Sequence, residues 1–436
     1  MTADRPELST EVLATAQRLA RAAQQASRPL STLSSEQKDA ALSRVAALLT
    51  DPAHVQHVLS ENARDLEAAA QAGLSSALID RLRLNESRLR SLAQAVRDIA
   101  ALPDPVGEVV ETWQRPQGFT VQRTRIPLGV LLLIYEARPN VTIDAAALAI
   151  KSGNAVILRG GKEAKHSNQA LAALLRTALL ATGLPADACI FVDNPDRSLL
   201  LALLQQSGLI DLCIPRGGEA LIRFVVEHAR VPVVQHYQGV CHLFVDEDAD
   251  LEMAIDLIEN GKCSRPAVCN ALECLLIHRQ AAAALLPALA ARLARHGVEL
   301  RMEDDARALL PQPLPAGLRV RTAEPTDFGR EFLDQTLAVR IVPSIDAAID
   351  HIAAFGSLHT EVIVTRNGQH AQRFQRQVCA SFVGWNVSTR FNDGGELGLG
   401  AEVGISTSKL HAFGPMGLRE LCTTKFVVTG SGQVRA

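Results

Sequence analysis

The chain has 436 residues, of which 47% are hydrophobic and 21% charged. That composition leaves ample apolar material for a buried core and excludes a disordered chain. Lys and Arg total 44 against 47 Asp and Glu, the net charge is −3 and aromatics are only 4%, so nucleic acid is not expected as a partner: there is neither a basic excess for a phosphate backbone nor a stock of rings for base stacking.

The longest strongly apolar stretch, 126–135, is about ten residues and is broken by Pro and Gly. A membrane-spanning helix needs about 20, so no membrane partner is expected. The opening residues carry acids and no apolar h-region, which predicts no secretory signal and a cytoplasmic location. The eight cysteines are scattered, without CxxC or zinc-type spacing. They are expected to be mostly buried thiols, and no metal site is expected.

Residues 8–103 are dominated by Ala, Leu, Arg and Gln, all good helix formers. Ser34 with Gln37 three residues on is a capping-box signature, and Leu42, Val45 and Leu49 follow at helical spacing. Pro103 and Pro105 close the region. Two alternating arms, 106–113 and 119–125, then flank a turn with Pro116 and Gly118 and read as a β-hairpin. The run 129–135 is apolar enough for a strand buried on both faces.

From there strands and helices alternate: helix 143–151, strand 155–159, helix 167–181, strand 189–192, helix 197–206, strand 212–214, helix 220–227, and strands 233–235 and 242–245. This predicts parallel crossover units and a doubly wound sheet with ligands at the carboxyl ends of its strands. A second α/β block is expected over 246–385, with helices 251–260, 281–296, 345–355 and 371–377 and strands 272–277, 337–342, 361–365 and 381–386. The glycine-rich stretch 390–417 is expected to be loop, and 424–429 a last strand.

The standard phosphate motifs and HExxH do not occur. Arg159-Gly160-Gly161-Lys162 stands directly after a strand and before a helix. Its glycines would let a ligand approach the backbone, and its cations would neutralise a phosphate. A plain tight turn with two solvated cations would look the same. Arg216-Gly217-Gly218 repeats the arrangement on another strand end, and the two together point to a dinucleotide site. Cys269 follows the loop Ser264-Arg265-Pro266 and precedes a strand. It is either a thiol presented to a cleft, with Arg265 favouring the thiolate, or a structural cysteine. Asn140, after Arg138 and Pro139 at a strand end, is either an amide donor to a developing oxyanion or the N-cap of the next helix.

Four segments share a resemblance: YEARPNVTIDAAALAIKSGNAVILRGGKEA (135–164), IPRGGEALI (214–222), RPAVCNALE (265–273) and STRFNDGGELGLGAEVGIST (388–407). Together they resemble the γ-glutamyl phosphate reductases, a family within the aldehyde dehydrogenase superfamily. The resemblance runs from about residue 35 to 430, with the motifs in the family's order. It implies an α/β, aldehyde dehydrogenase-like fold. A helical N-terminal region and a doubly wound parallel-sheet cofactor domain would occupy 1–108 and 125–245, and a second α/β catalytic domain 246–385. An active-site loop region would occupy 386–417, and a small β-arm for oligomerisation 109–124 and 418–436.

The implied reaction is NADPH-dependent reduction of L-glutamyl 5-phosphate to L-glutamate 5-semialdehyde, with release of phosphate, in proline biosynthesis. Cys269 would be the nucleophile that forms a thioester, and Asn140 the superfamily's oxyanion asparagine. Arg159 takes the place of the lysine that contacts the adenosine ribose. Lys162 stands where NAD-preferring members often carry Glu, and a cation there suits the 2′-phosphate of NADP. Glu331 matches the glutamate that binds the nicotinamide ribose. Arg138, Arg265, Asn386, Ser388, Thr389 and Arg390 are the candidate contacts for the substrate's anionic groups.

Hydrolytic members activate water with the Glu of a Glu-Leu-Gly-Gly segment. The matching stretch here reads His236-Tyr237-Gln238-Gly239, with no carboxylate. A reductive enzyme needs no such base, and exclusion of water protects its thioester. NAD(P)-dependent oxidation of another aldehyde is the alternative. The arm implies a homo-oligomer, a dimer or a dimer of dimers, because a lone hairpin is marginal in water. Functional coupling to a glutamate 5-kinase, which makes the labile acyl phosphate, is a further expectation.

Overall fold

The computed structural model describes residues 8–235 and 238–435. Two compact units divide the chain: one takes residues up to 235, 399–404 and from 416 on, and the other lies within 236–398 and 405–415.

The first unit opens with helices α1 (Thr10–Leu30), α2 (Ser35–Leu48), α3 (Pro52–Gln71), α4 (Ser76–Leu82) and α5 (Glu86–Ala101). Local chemistry accounts for their starts. Ser9, Ser34, Asp51, Ser75 and Asn85 each accept a first-turn backbone N–H, and the Ser34–Gln37 capping box forms as the sequence predicts. Next come β1 (Val109–Gln114), β2 (Thr120–Pro127), β3 (Val130–Tyr135), α6 (Asn140–Lys151), β4 (Ala155–Arg159) and α7 (Lys165–Ala181). The unit's α/β part ends with β5 (Cys189–Phe191), α8 (Arg197–Leu204), β6 (Leu212–Arg216) and α9 (Glu219–His228). Lys151 on α6 donates from Nζ to Asp39 and, at 2.6 Å, to the Ala100 carbonyl, tying the helical layer to the sheet domain.

The four-stranded sheet runs β5-β4-β3-β6, with every pair parallel. All six residues of β3 are buried, which is why it reads as an unbroken apolar run rather than an alternating one. The chain steps outward from β3 to β4 and β5, then returns to the other side of β3 as β6. That reversal is a switch point, where a doubly wound sheet opens a crevice at its carboxyl ends.

The second unit contains β7 (Cys241–Val245), α10 (Leu251–Cys263), β8 (Leu272–His278), α11 (Arg279–Ala294), β9 (Glu299–Met302) and α12 (Asp304–Arg307). It continues with β10 (Arg319–Thr322), β11 (Thr336–Val342), α13 (Ile345–Phe355), β12 (Thr360–Val364), α14 (Gly368–Gln377) and β13 (Phe382–Trp385). The seven-stranded order is β10-β9-β11-β8-β7-β12-β13. Alternate residues feed separate cores. Leu243, Leu275 and Ile277 pack with α10 and α11, while Phe244, Cys274 and Leu276 pack with α13 and α14.

Three expectations change here. The strand expected at 233–235 is only a single bridge from Val233 to Cys213. The strand at 242–245, read as the end of the first block, pairs with β8 and β12 and belongs to the second sheet. Alternation alone does not say which sheet receives a strand. Third, β9 and β10 were not anticipated. They are four residues each and rich in charge, and Arg301 and Arg321 cover themselves by pairing with Glu299.

The 390–417 region is loop apart from a 3-10 turn, Thr389–Phe391, and the short strands β14 (Gly404–Ser406) and β15 (Gly414–Met416). Finally β16 (Cys422–Thr429) pairs antiparallel along β2, making a three-stranded sheet β1-β2-β16. Among the described residues no helix is long and apolar enough to cross a membrane.

Candidate active site

Three loops leave the carboxyl ends of β3, β4 and β6, and glycines in the β4 and β6 loops are there for space. A Cβ on Gly160 would stand 2.2 Å from Asn168 Nδ2, and one on Gly217 would stand 2.6 Å from Glu136 Oε2. That Glu136 oxygen accepts the Gly218 N–H at 3.1 Å, so it braces the Arg216-Gly217-Gly218 loop from the β3 side. Behind Gly160 runs a buried chain: the Tyr135 hydroxyl meets Thr142 Oγ1 at 2.6 Å, and Thr142 donates to Asn168 Oδ1 at 3.0 Å.

Arg159 donates from Nη2 to the Pro195 carbonyl at 2.8 Å, and its Nε is buried without a hydrogen-bond partner. Burial and the charge of Arg197 pull its pKa down. Lys162 is exposed at the start of the next 3-10 turn. Glycine-walled backbone, an orphaned guanidinium N–H and an exposed cation at a switch point fit a phosphate-bearing nicotinamide cofactor.

Asn140 is not the N-cap of α6. Pro139 holds that position without a side-chain bond, and Asn140 is the first helical residue. Its Nδ2 donates to Asp144 Oδ2, one turn on, at 2.9 Å. Burial pushes Asp144 up to about 6, against the pull of the Asn140 bond and of Arg216. Just before, Ala137 takes φ 40, a left-handed conformation that turns the chain from β3 into the helix. Arg138 is exposed in this turn.

In the second unit Cys269 sits half-exposed in the turn between α10 and β8. Its backbone is held closely. A Cβ on Gly239 would lie 2.1 Å from the Cys269 carbonyl oxygen, so the two backbones touch and only glycine fits. The Cys241 thiol donates to the same carbonyl at 3.2 Å. Burial, then the Glu361 charge, holds Cys241 well above the usual thiol range, so it stays protonated and able to donate. His236 and Tyr237 lie outside the described residues.

Arg265 is exposed beside this turn, and Arg390 lies within electrostatic reach of Arg265, Cys269 and Cys241. The other residues expected around Arg390 have visible structural work. Asn386, at φ 53, accepts the Thr365 N–H and returns a bond to its carbonyl, both at 3.0 Å. Ser388 donates to Asn260 Oδ1 at 2.6 Å and accepts the Arg390 N–H, and Thr389 is fully buried. Glu331 lies beside Glu273, which bonds Lys262 Nζ at 2.5 Å.

Comparison with known proteins fixes the lineage. A model of the aldehyde dehydrogenase family matches residues 7–308. A γ-glutamyl phosphate reductase of Anaeromyxobacter sp. (strain Fw109-5) is 56% identical over 432 residues, which is 99% of this chain and 100% of the relative. The γ-glutamyl phosphate reductase of Xylella fastidiosa (strain 9a5c) is 54% identical over 96% of this chain and 98% of its own. The crystal structure of the γ-glutamyl phosphate reductase from Thermotoga maritima, 41% identical, covers 97% of this chain and 100% of that one with a TM-score of 0.92. This chain belongs to the γ-glutamyl phosphate reductase family. An acetylating aldehyde dehydrogenase from Geobacillus thermoglucosidasius, at 15% identity and TM-score 0.68, shares the fold alone. Aldehyde dehydrogenase family enzymes use NAD(P).

Some residues at these positions escaped the sequence reading. Asp144 was signalled by its i+4 spacing from Asn140. Gly239, Cys241 and Glu136 had no local signal, because their partners are distant in sequence. Among the described residues one cluster has metal-ligand chemistry: His242, Cys274 and His351 bring their ligand atoms within 4.8 Å of one another. Arg340, which can only donate, bonds His351 Nδ1 at 3.2 Å and so leaves the ring proton on Nε2, the atom that faces Cys274 at 3.7 Å. Glu361 adds a carboxylate oxygen 3.0 Å from His242 Nδ1, so the group is a buried polar cluster inside the core.

Proposed function

We propose that this chain reduces L-glutamyl 5-phosphate to L-glutamate 5-semialdehyde with NADPH, releasing phosphate, in proline biosynthesis. The carrying observation is the clamped seat of Cys269 in a chain 56% identical, end to end, to a relative named for this reduction.

The Cys269 thiolate attacks the acyl carbon. A C–S bond forms, the bond from that carbon to the phosphate oxygen breaks, and phosphate leaves with the electron pair. The thioester remains on Cys269. When bound, the nicotinamide supplies the hydride that reduces the thioester carbon. The oxyanion then collapses, the C–S bond breaks, and Cys269 departs as thiolate while the aldehyde forms. Asn140 donates to the oxyanion with the N–H not engaged by Asp144, alongside the backbone N–H of Cys269. With no carboxylate in the 236–239 stretch, the thioester meets no water-activating base there.

Arg138, Arg265 and Arg390 take the substrate's anionic groups, while Asn386, Ser388 and Thr389 shape the loop that carries Arg390. Arg159 Nε and the glycine loops 160–161 and 217–218, with Arg216, hold the dinucleotide. Lys162 meets the 2′-phosphate of NADP, and Glu331 the nicotinamide ribose. The protein works in the cytoplasm as a homo-oligomer joined through the β-arm. It is functionally coupled to a glutamate 5-kinase that supplies the labile acyl phosphate.

The test is the reverse reaction with glutamate semialdehyde and NADP⁺, with and without phosphate, followed by absorbance of the reduced cofactor. Phosphate-dependent turnover that Cys269→Ala abolishes is expected. Phosphate-independent turnover would mean that water resolves the thioester, and the oxidative aldehyde dehydrogenase reading would replace this one.

A further inference from the structure

Asn270 follows Cys269 directly and is 5% exposed. Its Nδ2 donates to the Arg390 carbonyl at 3.2 Å and the Asn392 carbonyl at 3.0 Å, while its Oδ1 is buried without a hydrogen-bond partner. Both donor hydrogens are thus spent on the 3-10 turn that carries Arg390. The same turn is held elsewhere by Ser388 on Asn260 and by Asn392 Nδ2 on Thr360 Oγ1 at 2.8 Å. Asn270 is its link to the cysteine's own turn.

The charged and titratable groups facing Arg390 are Arg265, Asp393, Cys269 and Cys241, with His359 bonded through Asn392. Burial and Arg265 both pull the Arg390 pKa down, so this guanidinium is partly stripped of water. A cation in that setting acts on a neighbouring thiol through less water than at the open surface, and an adjacent cation favours the thiolate.

We propose that Asn270 is a positioning residue which hangs the Arg390 turn beside Cys269 and thereby sets the thiolate population of the nucleophile. The proposal rests on Cys269 being the nucleophile and goes beyond it by naming what tunes that thiol. Asn270 acts through Arg390 and needs no contact with substrate.

The experiment uses the full chain without substrate or cofactor. Alkylation of Cys269 by iodoacetamide is followed across pH by peptide mass spectrometry, which separates it from the exposed Cys379. Wild type, Asn270→Ala, Arg390→Ala and the double variant are compared. Losing the cation's influence by one pKa unit lowers the thiolate fraction about tenfold below the inflection. Asn270→Ala should therefore shift the inflection upward and slow neutral-pH alkylation in the direction of Arg390→Ala. Adding it to Arg390→Ala should cost nothing more, and Asn270→Ser, which keeps one donor, should fall between wild type and Ala.

An unchanged profile in Asn270→Ala, or a double variant with the full sum of both losses, would overturn the proposal, since either means Asn270 does not act through Arg390. If Asn270→Ala does not fold, the Ser variant alone and in the Arg390→Ala background reads the same coupling. Failure of the underlying reading looks different: Cys269 would be fully alkylated in wild type while turnover persists.

Discussion

At the scale of single residues, the Asn140–Asp144 pair makes the sharpest claim. Burial raises the Asp144 carboxyl to about 6 in the folded chain, against about 4 for an unperturbed Asp. The folded state therefore holds this proton more tightly than the unfolded one. Its linkage contribution to stability is fully present below about pH 4 and is lost as pH rises through about 6. Activity should run the other way. The ionised carboxylate is the stronger acceptor for Asn140 Nδ2, so it orients the amide best above pH 6. The pH profile of kcat/KM in the reverse direction should fall off on the acid side near 6. Asp144→Asn should remove that limb and lower the plateau about tenfold, the equivalent of one orienting hydrogen bond of about 1.4 kcal/mol. A limb that survives in Asp144→Asn would assign it to another group.

At the scale of elements, the turn bearing Cys269 is fastened at its base. Lys262 lies in the last turn of α10, Glu273 is the second residue of β8, and both side chains are fully buried with Nζ 2.5 Å from Oε2. The other carboxylate oxygen accepts the Leu333 N–H at 3.3 Å, which brings in the 331–335 segment. Burial pushes Glu273 up to about 7 against the opposing charge of Lys262. Removing one partner strands a buried charge. Lys262→Ala should cost roughly 3–5 kcal/mol, whereas Lys262→Met with Glu273→Leu should cost much less because nothing charged is left behind. Denaturant melts of the three proteins decide this, and equal losses in the single and double variants would contradict it. The helix starts of the first unit need no remote partner, since each is capped within its own first turn.

At the scale of the whole molecule, the β-arm leaves apolar surface uncovered. Phe426 is 67% exposed, Val428 58%, Val110 47% and Val109 46%, with Trp113 edge-on to Phe426 at 6.1 Å. A strip of this kind at the edges of a three-stranded sheet is costly in water and invites a second copy of the chain. The proposed homo-oligomer makes a direct prediction. Wild type should sediment as a dimer or larger, and Phe426→Asp with Val428→Lys should shift it toward monomer while the far-ultraviolet spectrum stays native. A monomeric wild type at micromolar concentration would rule the arm out as an assembly surface.

Much of this protein was legible from the chain alone. The α2 start came from the Ser34–Gln37 capping box, the buried strand β3 from its unbroken apolar run, and the crossover units from alternation, because each of these is written in contiguous residues. The family was legible too, since its motifs are contiguous and ordered. Tertiary structure decided the rest. It placed the strand 241–245 in the second sheet, gave the segment 299–302, with its charged Glu299 and Arg301, a strand's neighbours, and set Gly239 and Cys241 against the Cys269 backbone. It also gave Asn270 its two carbonyls more than a hundred residues away. Sheet membership and backbone clamping are pairings between distant segments. No local pattern records them, because the partner that satisfies each donor or fills each gap is supplied only when the chain has folded.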